Sequence, residues 1–420
     1  MKLMSTTALA LAAAAIAAPA AAQNYGAAPA AQTPAVPNAG TVAAPAATPQ
    51  IKLSKKASKA IIALQTAVKA NDVANIPAKV AEAQAVAETA EDRYAIGRLQ
   101  LNAAQAAKNT EAAVLAADYI AAANYLPKAQ VAGLYNSLGV DFFNAKNTAR
   151  ANAMFQKAVA TDPNNSESLR LLAETQNASG NSADAIANFQ KAMQQSAASG
   201  QKLPEESFKR AVSAAYTAKS PSAVGIGQQW IAAYPSPESW RNAIAIYRNM
   251  MRPGVQGSLD LLRLMRAAGA MTTGGDYSLY ATAAADQGNF GEAQSVIDEG
   301  LAAKRVTLTD RTVRDTVSGL KAKPKASAAD LEAAAKTATT GVSLLRIGDR
   351  FYGLGNYARA AELYRLAVSK GADASLANLH LGMALARAGD KAGAKTALGA
   401  VTGANAEIAK YWMIYVNRAA

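Results

Sequence analysis

A short pattern occurs four times in this chain, as two adjacent pairs whose members lie 34 residues apart. In each copy a large aliphatic residue precedes glycine or alanine, a small residue follows 12 positions later, and another large residue follows four positions after that. The four copies start at Leu138-Gly139, Leu172-Ala173, Ile347-Gly348 and Leu381-Gly382, and they continue to Ala151/Phe155, Ala185/Phe189, Ala360/Tyr364 and Ala394/Leu398. A fixed period of this length is typical of repeat proteins, in which each unit packs mainly on its neighbours.

The first copy resembles the tetratricopeptide repeat. Its signature positions are filled by the segment Ser137-Leu-Gly-Val-Asp-Phe-Phe, by Ala151, Phe155 and Ala158, and by Asp162-Pro163-Asn164. The resemblance implies an all-α fold, a right-handed α-α superhelix in which helix A and helix B of each unit form a hairpin. It also implies that helices A line a concave groove that binds a protein or peptide, and that a capping helix ends the solenoid.

Length and composition agree with a solenoid. A chain of 420 residues could form two or three globular domains, but the fixed period favours one continuous array. Aromatic residues make up only 6% of the chain and alanine dominates, so the helices can approach closely while each buries little area. We therefore interpret Gly139, Ala151 and Phe155 as packing positions, with Phe155 filling the space between neighbouring units.

The first 50 residues carry the pattern of an exported protein. Residues 1–22 are predicted to be a Sec-type signal peptide, with Lys2 at the positive start and the small-residue cleavage site Ala20-Ala21-Ala22. Residues 23–50 are uncharged and rich in alanine and proline, which predicts a disordered linker. Because the chain has no cysteine, we expect neither a lipid anchor nor a disulfide. The predicted location is periplasmic or secreted, without a transmembrane segment in the mature chain.

Four further regions are predicted after the linker. They are an N-terminal helical segment at 51–130, a repeat array with degenerate central units at 131–304, a degenerate hairpin or hinge at 305–340, and a C-terminal repeat pair with its capping helix at 341–420. Clear units begin at residues 166 and 274, which are three periods plus six residues apart. A short insertion is therefore predicted at Arg252-Pro253-Gly254 or at Thr273-Gly274-Gly275.

The chain is basic, with a formal charge of +13, or +12 without Lys2. An exported basic protein meets anionic lipid head groups, envelope polymers and acidic proteins far more often than DNA, so a nucleic-acid partner is not predicted. The densest basic stretches are Arg241 to Arg266 and Arg305 to Lys325.

Residues that carry enzyme chemistry are nearly absent. His380 is the only histidine and there is no cysteine, which excludes multi-histidine metal sites and Cys-His pairs. We interpret His380 as a solvated or packing residue whose replacement should leave stability nearly unchanged. Ser318 and Lys321 match an S-x-x-K pattern, but its companion motifs do not occur. The chain is therefore predicted not to be an enzyme and to use no cofactor or metal.

The resemblance assigns the groove to the second, fifth, ninth, twelfth and thirteenth positions of helix A. The candidate partner-binding residues at these positions are Asn136, Asn144, Arg170, Asn177, Leu345, Asp349, Leu376, Leu379, Met383 and Arg387. The Lys/Asn/Arg set that clamps a peptide's terminal carboxylate in one subgroup of the family is absent, so a chaperone-type C-terminal peptide is not predicted. The apolar positions of the last two repeats are predicted to contact either an external partner, which we favour, or the chain's own N-terminal helices or a second copy.

Two functions follow from these observations. The first is a non-enzymatic scaffold or adaptor that binds a protein or peptide along the concave face. The alternative is a binder of an anionic cell-envelope polymer, such as peptidoglycan or a secreted polysaccharide, through the basic surface. Binding that depends strongly on salt and little on sequence would favour the polymer.

We expect the mature chain to begin at or near Gln23, because the small-residue cleavage site ends just before it. Mass spectrometry of the N-terminal peptide, from protein isolated in the periplasmic fraction, measures this directly. A chain that keeps Lys2 and fractionates with the membrane would contradict the prediction.

Overall fold

The computed structural model describes residues 51–418, and all regular structure in that range is helical. These residues belong to one compact unit with 21 α-helices, one 3₁₀ turn and no strand. The all-α fold class is thus confirmed for the described range. The predicted signal peptide and linker lie outside it.

The first eleven helices form successive hairpins and begin a sixth. They are α1 (Lys55–Lys69), α2 (Ile76–Val86), α3 (Ala90–Ala106), α4 (Thr110–Ala123), α5 (Lys128–Asn144), α6 (Thr148–Thr161), α7 (Ser166–Ala178), α8 (Ser182–Ala198), α9 (Glu205–Thr217), α10 (Ser222–Ala233) and α11 (Pro237–Met251). Within α1, Ile61 and Leu64 are buried, whereas Ile62, which the apolar pattern places with them, is 54% exposed.

The second half contains ten helices. They are α12 (Gly254–Ala267), α13 (Gly274–Asp286), α14 (Phe290–Ala302), α15 (Arg311–Lys321), α16 (Ala328–Thr337), α17 (Gly341–Gly353), α18 (Tyr357–Ser369), α19 (Ala374–Ala388), α20 (Lys391–Gly399) and α21 (Ala406–Asn417), with the 3₁₀ turn at Gly403–Asn405. Helices α13/α14, α17/α18 and α19/α20 pack as hairpins. Helix α15 packs on α13 and α14, whereas α16 packs on α17. Helices α14 and α17 also contact each other directly.

The turn between helices A and B has the same chemistry in unit after unit. A residue with left-handed backbone precedes the asparagine or aspartate that caps helix B, as at Lys146, Gly180, Gly288, Gly355 and Gly389. Glycine enters this conformation at little cost, and a side-chain oxygen at the cap can accept a hydrogen bond from a free N–H at the helix start. This chemistry explains why Gly-Asn recurs at the period of the repeat.

Close approach of helices A and B depends on the glycine of each signature. A Cβ added at Gly139 would overlap the Phe155 ring, one at Gly348 would lie 2.6 Å from Tyr364 Cε1, and one at Gly382 would lie 2.5 Å from Leu398 Cγ. The glycine of helix A therefore faces the large residue 16 positions later on helix B. The interpretation of these residues as packing positions agrees with the structure.

The central units show where the six residues in excess of three 34-residue periods lie. Successive helices A begin at Ser166, Glu205, Pro237 and Gly274, so the spacing changes from 34 to 39, 32 and 37 residues. Long connections at 199–204 and 268–273 account for the two increases. The predicted insertion at 273–275 is thus placed a few residues too late, the alternative at 252–254 is wrong, and the extra residues at 199–204 were not predicted.

Helix α12 does not follow the solenoid pattern. It lies in the interior of the second half, where Gly257 and all residues from Leu259 to Met265 are buried. The last helix, α21, caps α20 as predicted, but it also packs on α10, α12 and α19. The Trp412 indole donates a hydrogen bond to the Asp260 carbonyl at 3.2 Å, and the Tyr411 hydroxyl donates to the Ala243 carbonyl at 3.3 Å. The C-terminal end of the array therefore closes back on its centre.

We expect Gly139→Leu to destabilise the chain by about 1–3 kcal/mol or more, because the new side chain must enter the space that Phe155 fills. Gly133→Leu is the matched control on the same helix, since nothing lies within 4 Å of a Cβ added there. Removing that exposed glycine should leave stability unchanged or raise it slightly. Thermal melting of both variants measures the difference, and equal melting temperatures would contradict the packing argument.

Candidate interaction groove

The predicted groove of the last two repeats is filled by the chain itself. Leu379 and Met383 have no exposed surface, and Leu345 and Asp349 are also buried. They belong to α17 and α19, whose side chains meet α12 and the core around it. Our expectation that an external partner binds these residues is therefore wrong for this form of the chain. The covering element is α12 rather than the N-terminal helices that we had considered.

The two remaining candidates in these repeats are partly buried. Leu376 packs against the edge of the same core. Arg387 donates a hydrogen bond to the Tyr357 hydroxyl at 3.0 Å, and its guanidinium lies 5.0 Å from the centre of the Tyr357 ring. Both residues therefore contribute to packing within the C-terminal half.

Charged side chains meet inside this filled space, in what we call the buried ionic cluster: Asp260, Arg263, Glu292, Asp349 and His380. Arg263 binds Glu292 through two parallel hydrogen bonds of 2.9 and 2.8 Å, and it donates a third to Asp260 at 3.2 Å. Asp349 lies 3.5 Å from the same guanidinium. The cluster therefore joins α12 to α14, α17 and α19.

His380 completes the cluster between two carboxylates. Its Nε2 lies 3.2 Å from Asp260 and its Nδ1 lies 2.9 Å from Asp349. Burial opposes protonation of the imidazole, but Asp349 and Asp260 outweigh it and raise the pKa of His380 to about 10. The same contacts, together with Arg263, lower the pKa of Asp349 despite its burial. The interpretation of His380 as solvated is wrong, because the side chain is buried and paired.

This cluster is a structural element rather than a reaction site. All five side chains are buried, and the Tyr364 and Tyr280 hydroxyls donate to Asp349 and Glu292 at 2.8 Å. Among residues 51–418 no group of three or more histidine and acidic side chains is arranged to hold a metal ion. Within the same range no helix is long and apolar enough to cross a membrane.

The other groove candidates lie on helices A of the first half. We call the face formed by α5, α7, α9 and α11 the polar groove. Asn136 donates a hydrogen bond to Ser168 at 2.9 Å, which joins α5 to α7, and Arg210 donates to Glu174 at 3.0 Å, which joins α9 to α7. Asn249 donates to the Tyr216 hydroxyl at 3.3 Å and joins α11 to α9. Polar contacts therefore hold neighbouring helices A in register along this face.

The predicted residues of the polar groove differ in exposure. Asn144 is exposed, whereas Asn136, Arg170 and Asn177 are half-buried. Arg170 forms ion pairs with Glu167 and, at 2.6 Å, with Glu174, and both carboxylates together with hydrogen bonding raise its pKa although burial opposes this. Asn144 also lines a cleft of about 350 Å³ between α3, α4 and α5. The structure thus brings Asn136 and Arg170 into the same polar face and places Asn144 at its N-terminal end.

Sequence reasoning missed the groove residues of α9 and α11. Phe143, a groove position that was not among the site candidates, is 38% exposed at the end of α5, and Tyr216 and Arg248 occupy the equivalent twelfth positions of α9 and α11. Lys209 and Arg241 occupy the fifth positions, as Arg170 does in α7. The connection at 199–204 shifts the phase of the repeat, so these positions could not be counted forward from residue 166.

Helical hairpins that stack through small residues and expose one face of helices A define a class, the helix-turn-helix solenoids. Residues 154–187 and 345–414 each match the family described as tetratricopeptide repeat. These two segments of the chain support an assignment as tetratricopeptide repeats, a fold that generally serves as a non-catalytic protein-interaction scaffold. No curated protein matches its sequence.

Several solved structures match the chain at low sequence identity and low TM-score. A tetratricopeptide repeat protein from Parabacteroides merdae is 11% identical, with 70% of this chain and 99% of that chain covered and a TM-score of 0.30. The structure of Naa15/Naa10 bound to HypK-THB is 11% identical, covers 84% of this chain and 64% of that chain, and has a TM-score of 0.34. The Cut9-Hcn1 hetero-tetramer is 10% identical, covers 87% and 88%, and has a TM-score of 0.17.

We expect His380→Gln to destabilise the chain by roughly 3–5 kcal/mol, because it removes one of the two cations that balance the buried carboxylates Asp260 and Asp349. The effect should depend on pH. Since folding raises the pKa of His380 from 6.5 to about 10, its contribution is complete below pH 6.5 and is lost as the pH rises to about 10.

Melting temperatures of wild type and His380→Gln across this range measure that effect. The gap between them should be widest below pH 6.5 and should narrow toward pH 10. Asn378→Gln is the control, because Asn378 is two positions away on α19 and only half-buried. A gap that does not change with pH would contradict the assignment of a charged His380.

Proposed function

We propose that this protein is an exported scaffold that binds a protein or peptide partner in the polar groove. The observation that carries the proposal is the contrast between the two halves of the array. In the C-terminal half the groove positions of α17 and α19 are largely buried by the chain's own helix α12. In the first half Phe143, Asn144 and Asn177 keep exposed surface at the equivalent positions.

The composition of the polar groove supports a protein partner. Polar side chains that are already held by neighbours provide directed hydrogen bonds, while the exposed ring of Phe143 provides an apolar contact. A mixture of this kind suits a peptide with both apolar and polar side chains. Bacterial export, inferred from residues 1–22, would make the partner a protein of the periplasm or the cell envelope.

The alternative partner, an anionic envelope polymer, has less support. Binding through charge alone needs cations that are free to pair with the polymer. Along the groove, Arg170 pairs with Glu167 and Glu174, Lys209 pairs with Glu206 and Glu238, and Arg241 pairs with Asp276. Most of the positive charge on this face is thus already neutralised within the chain.

We expect a photo-cross-linking amino acid at Asn177 to capture a discrete partner in cells, because this position lies within the polar groove. The same amino acid at Gln156, an exposed position on α6, is the control. Phe143→Glu should reduce the Asn177 cross-link about tenfold, since it places a charge at the apolar contact of the groove. Leu115→Glu on α4, where the native side chain is 70% exposed, should leave the cross-link unchanged.

Two results would contradict this function. One is equal capture from Asn177 and Gln156, which would indicate non-specific contact. The other is a cross-link that disappears in high salt and is insensitive to Phe143→Glu, which would favour the anionic polymer.

A further inference from the structure

The basic stretch from residue 241 to residue 266 is divided by the fold into paired and unpaired arginines. Three of its five arginines bind carboxylates. Arg241 binds Asp276, Arg263 binds the buried ionic cluster, and Arg266 binds Glu299 at 2.7 Å. The other two, Arg248 and Arg252, form no ion pair and no side-chain hydrogen bond with any residue from 51 to 418.

Arg248 is unusual because it is half-buried and still lacks a partner. Its Nε is shielded from solvent without a hydrogen bond. Burial lowers the pKa of Arg248, and the negative charge of Asp276 only partly opposes this. Asp276 forms no ion pair with Arg248; its carboxylate binds Arg241 Nε at 3.0–3.1 Å, and its Oδ2 also accepts the backbone N–H groups of Thr272 and Thr273. A largely desolvated guanidinium that forms no ion pair is costly, so an external anion would be favoured there.

The surroundings of Arg248 place it in the polar groove. It occupies the twelfth position of α11, the position of Phe143 in α5 and of Tyr216 in α9. Asn249, the next residue, holds the Tyr216 hydroxyl at 3.3 Å. Arg252, four residues after Arg248, is the C-cap of α11; its backbone is left-handed and its side chain is exposed. Both arginines thus lie at the C-terminal end of α11, where one extended acidic segment of a partner can reach the two guanidinium groups.

We propose that Arg248 and Arg252 bind carboxylate groups of an acidic segment of the partner, at the C-terminal end of the polar groove. The inference rests on the proposed function and adds the chemistry of the ligand. Arginine suits this role because its planar guanidinium can donate two parallel hydrogen bonds to one carboxylate. The carboxylates can belong to glutamate and aspartate side chains or to a chain terminus, which share the same chemistry.

The test uses a fluorescein-labelled hexaglutamate peptide with an amidated C-terminus and measures its binding to the full mature chain by anisotropy. We expect Arg248→Gln/Arg252→Gln to weaken binding at least about tenfold. The matched control is Arg346→Gln/Arg350→Gln, which removes the same charge from two exposed arginines, also one turn apart, on α17. That control should change the affinity less than about twofold.

Further variants keep the result interpretable. Arg252→Gln alone affects an exposed side chain, so a loss of binding cannot be attributed to unfolding. Arg248→Lys keeps the charge but not the planar fork, and we expect it to bind several-fold more weakly than wild type. A hexaglutamine peptide should not bind. Tighter binding of hexaglutamate with a free C-terminus would assign the site to a terminal carboxylate, and equal binding would assign it to acidic side chains.

Two outcomes would overturn the proposal. Equal loss of affinity in both double variants would mean that binding follows net charge, and polygalacturonate competing as well as the peptide would assign the site to a polymer. Cross-linking at Asn177 separates this proposal from the proposed function. If the partner is still captured there while peptide binding ignores Arg248 and Arg252, the scaffold function remains and the arginine site is refuted.

Discussion

The ion pairs of Arg263 determine which parts of this solenoid are closed and which are open. A buried guanidinium is tolerated only when carboxylates pair with it, and breaking such a pair costs several kcal/mol. Arg263 therefore keeps α12 inside the C-terminal half only while Glu292 of α14 and Asp349 of α17 remain beside it. His380 of α19 adds a second cation between Asp260 and Asp349. These charges therefore connect α12 with α14, α17 and α19.

Local chemistry made much of the fold predictable. The 34-residue period places helices A and B of the clear repeats because glycine, the large residue 16 positions later and the Asn cap lie within one hairpin. Gly139 against Phe155 and Gly348 against Tyr364 are contacts of this local kind. The same reasoning placed Asn136 and Arg170 on one face. Asn136 contacts Ser168 of α7, and Arg170 pairs with Glu174, which also accepts a hydrogen bond from Arg210 of α9.

The contacts that close the C-terminal half could not be predicted from the local repeat pattern. Asp260 and His380 are 120 residues apart in the sequence, and no period connects α12 with α19. The connections at 199–204 and 268–273 also interrupt the 34-residue spacing. Tyr216, Arg241 and Arg248 therefore could not be assigned to groove positions by counting periods forward from residue 166 or back from residue 274. One signal was available, since Leu379 and Met383 are too apolar for groove positions that face water. It showed that something covers them, but not that the cover is the chain's own helix.

Closure of one half restricts where a partner can bind in the other. A ligand that follows helices A from α5 meets the packed interface of α11 with α21, where Tyr247 lies against Tyr411 and Trp240 against Tyr415. The groove therefore ends at α11, and Arg248 and Arg252 lie at that end without an ion pair to any residue from 51 to 418. Internal carboxylates neutralise the arginines that hold the fold together, such as Arg263, and leave these two available. Under the proposed function, the paired arginines of the core hold the closed half together, and the unpaired arginines at the end of the groove would contact the partner in the open half.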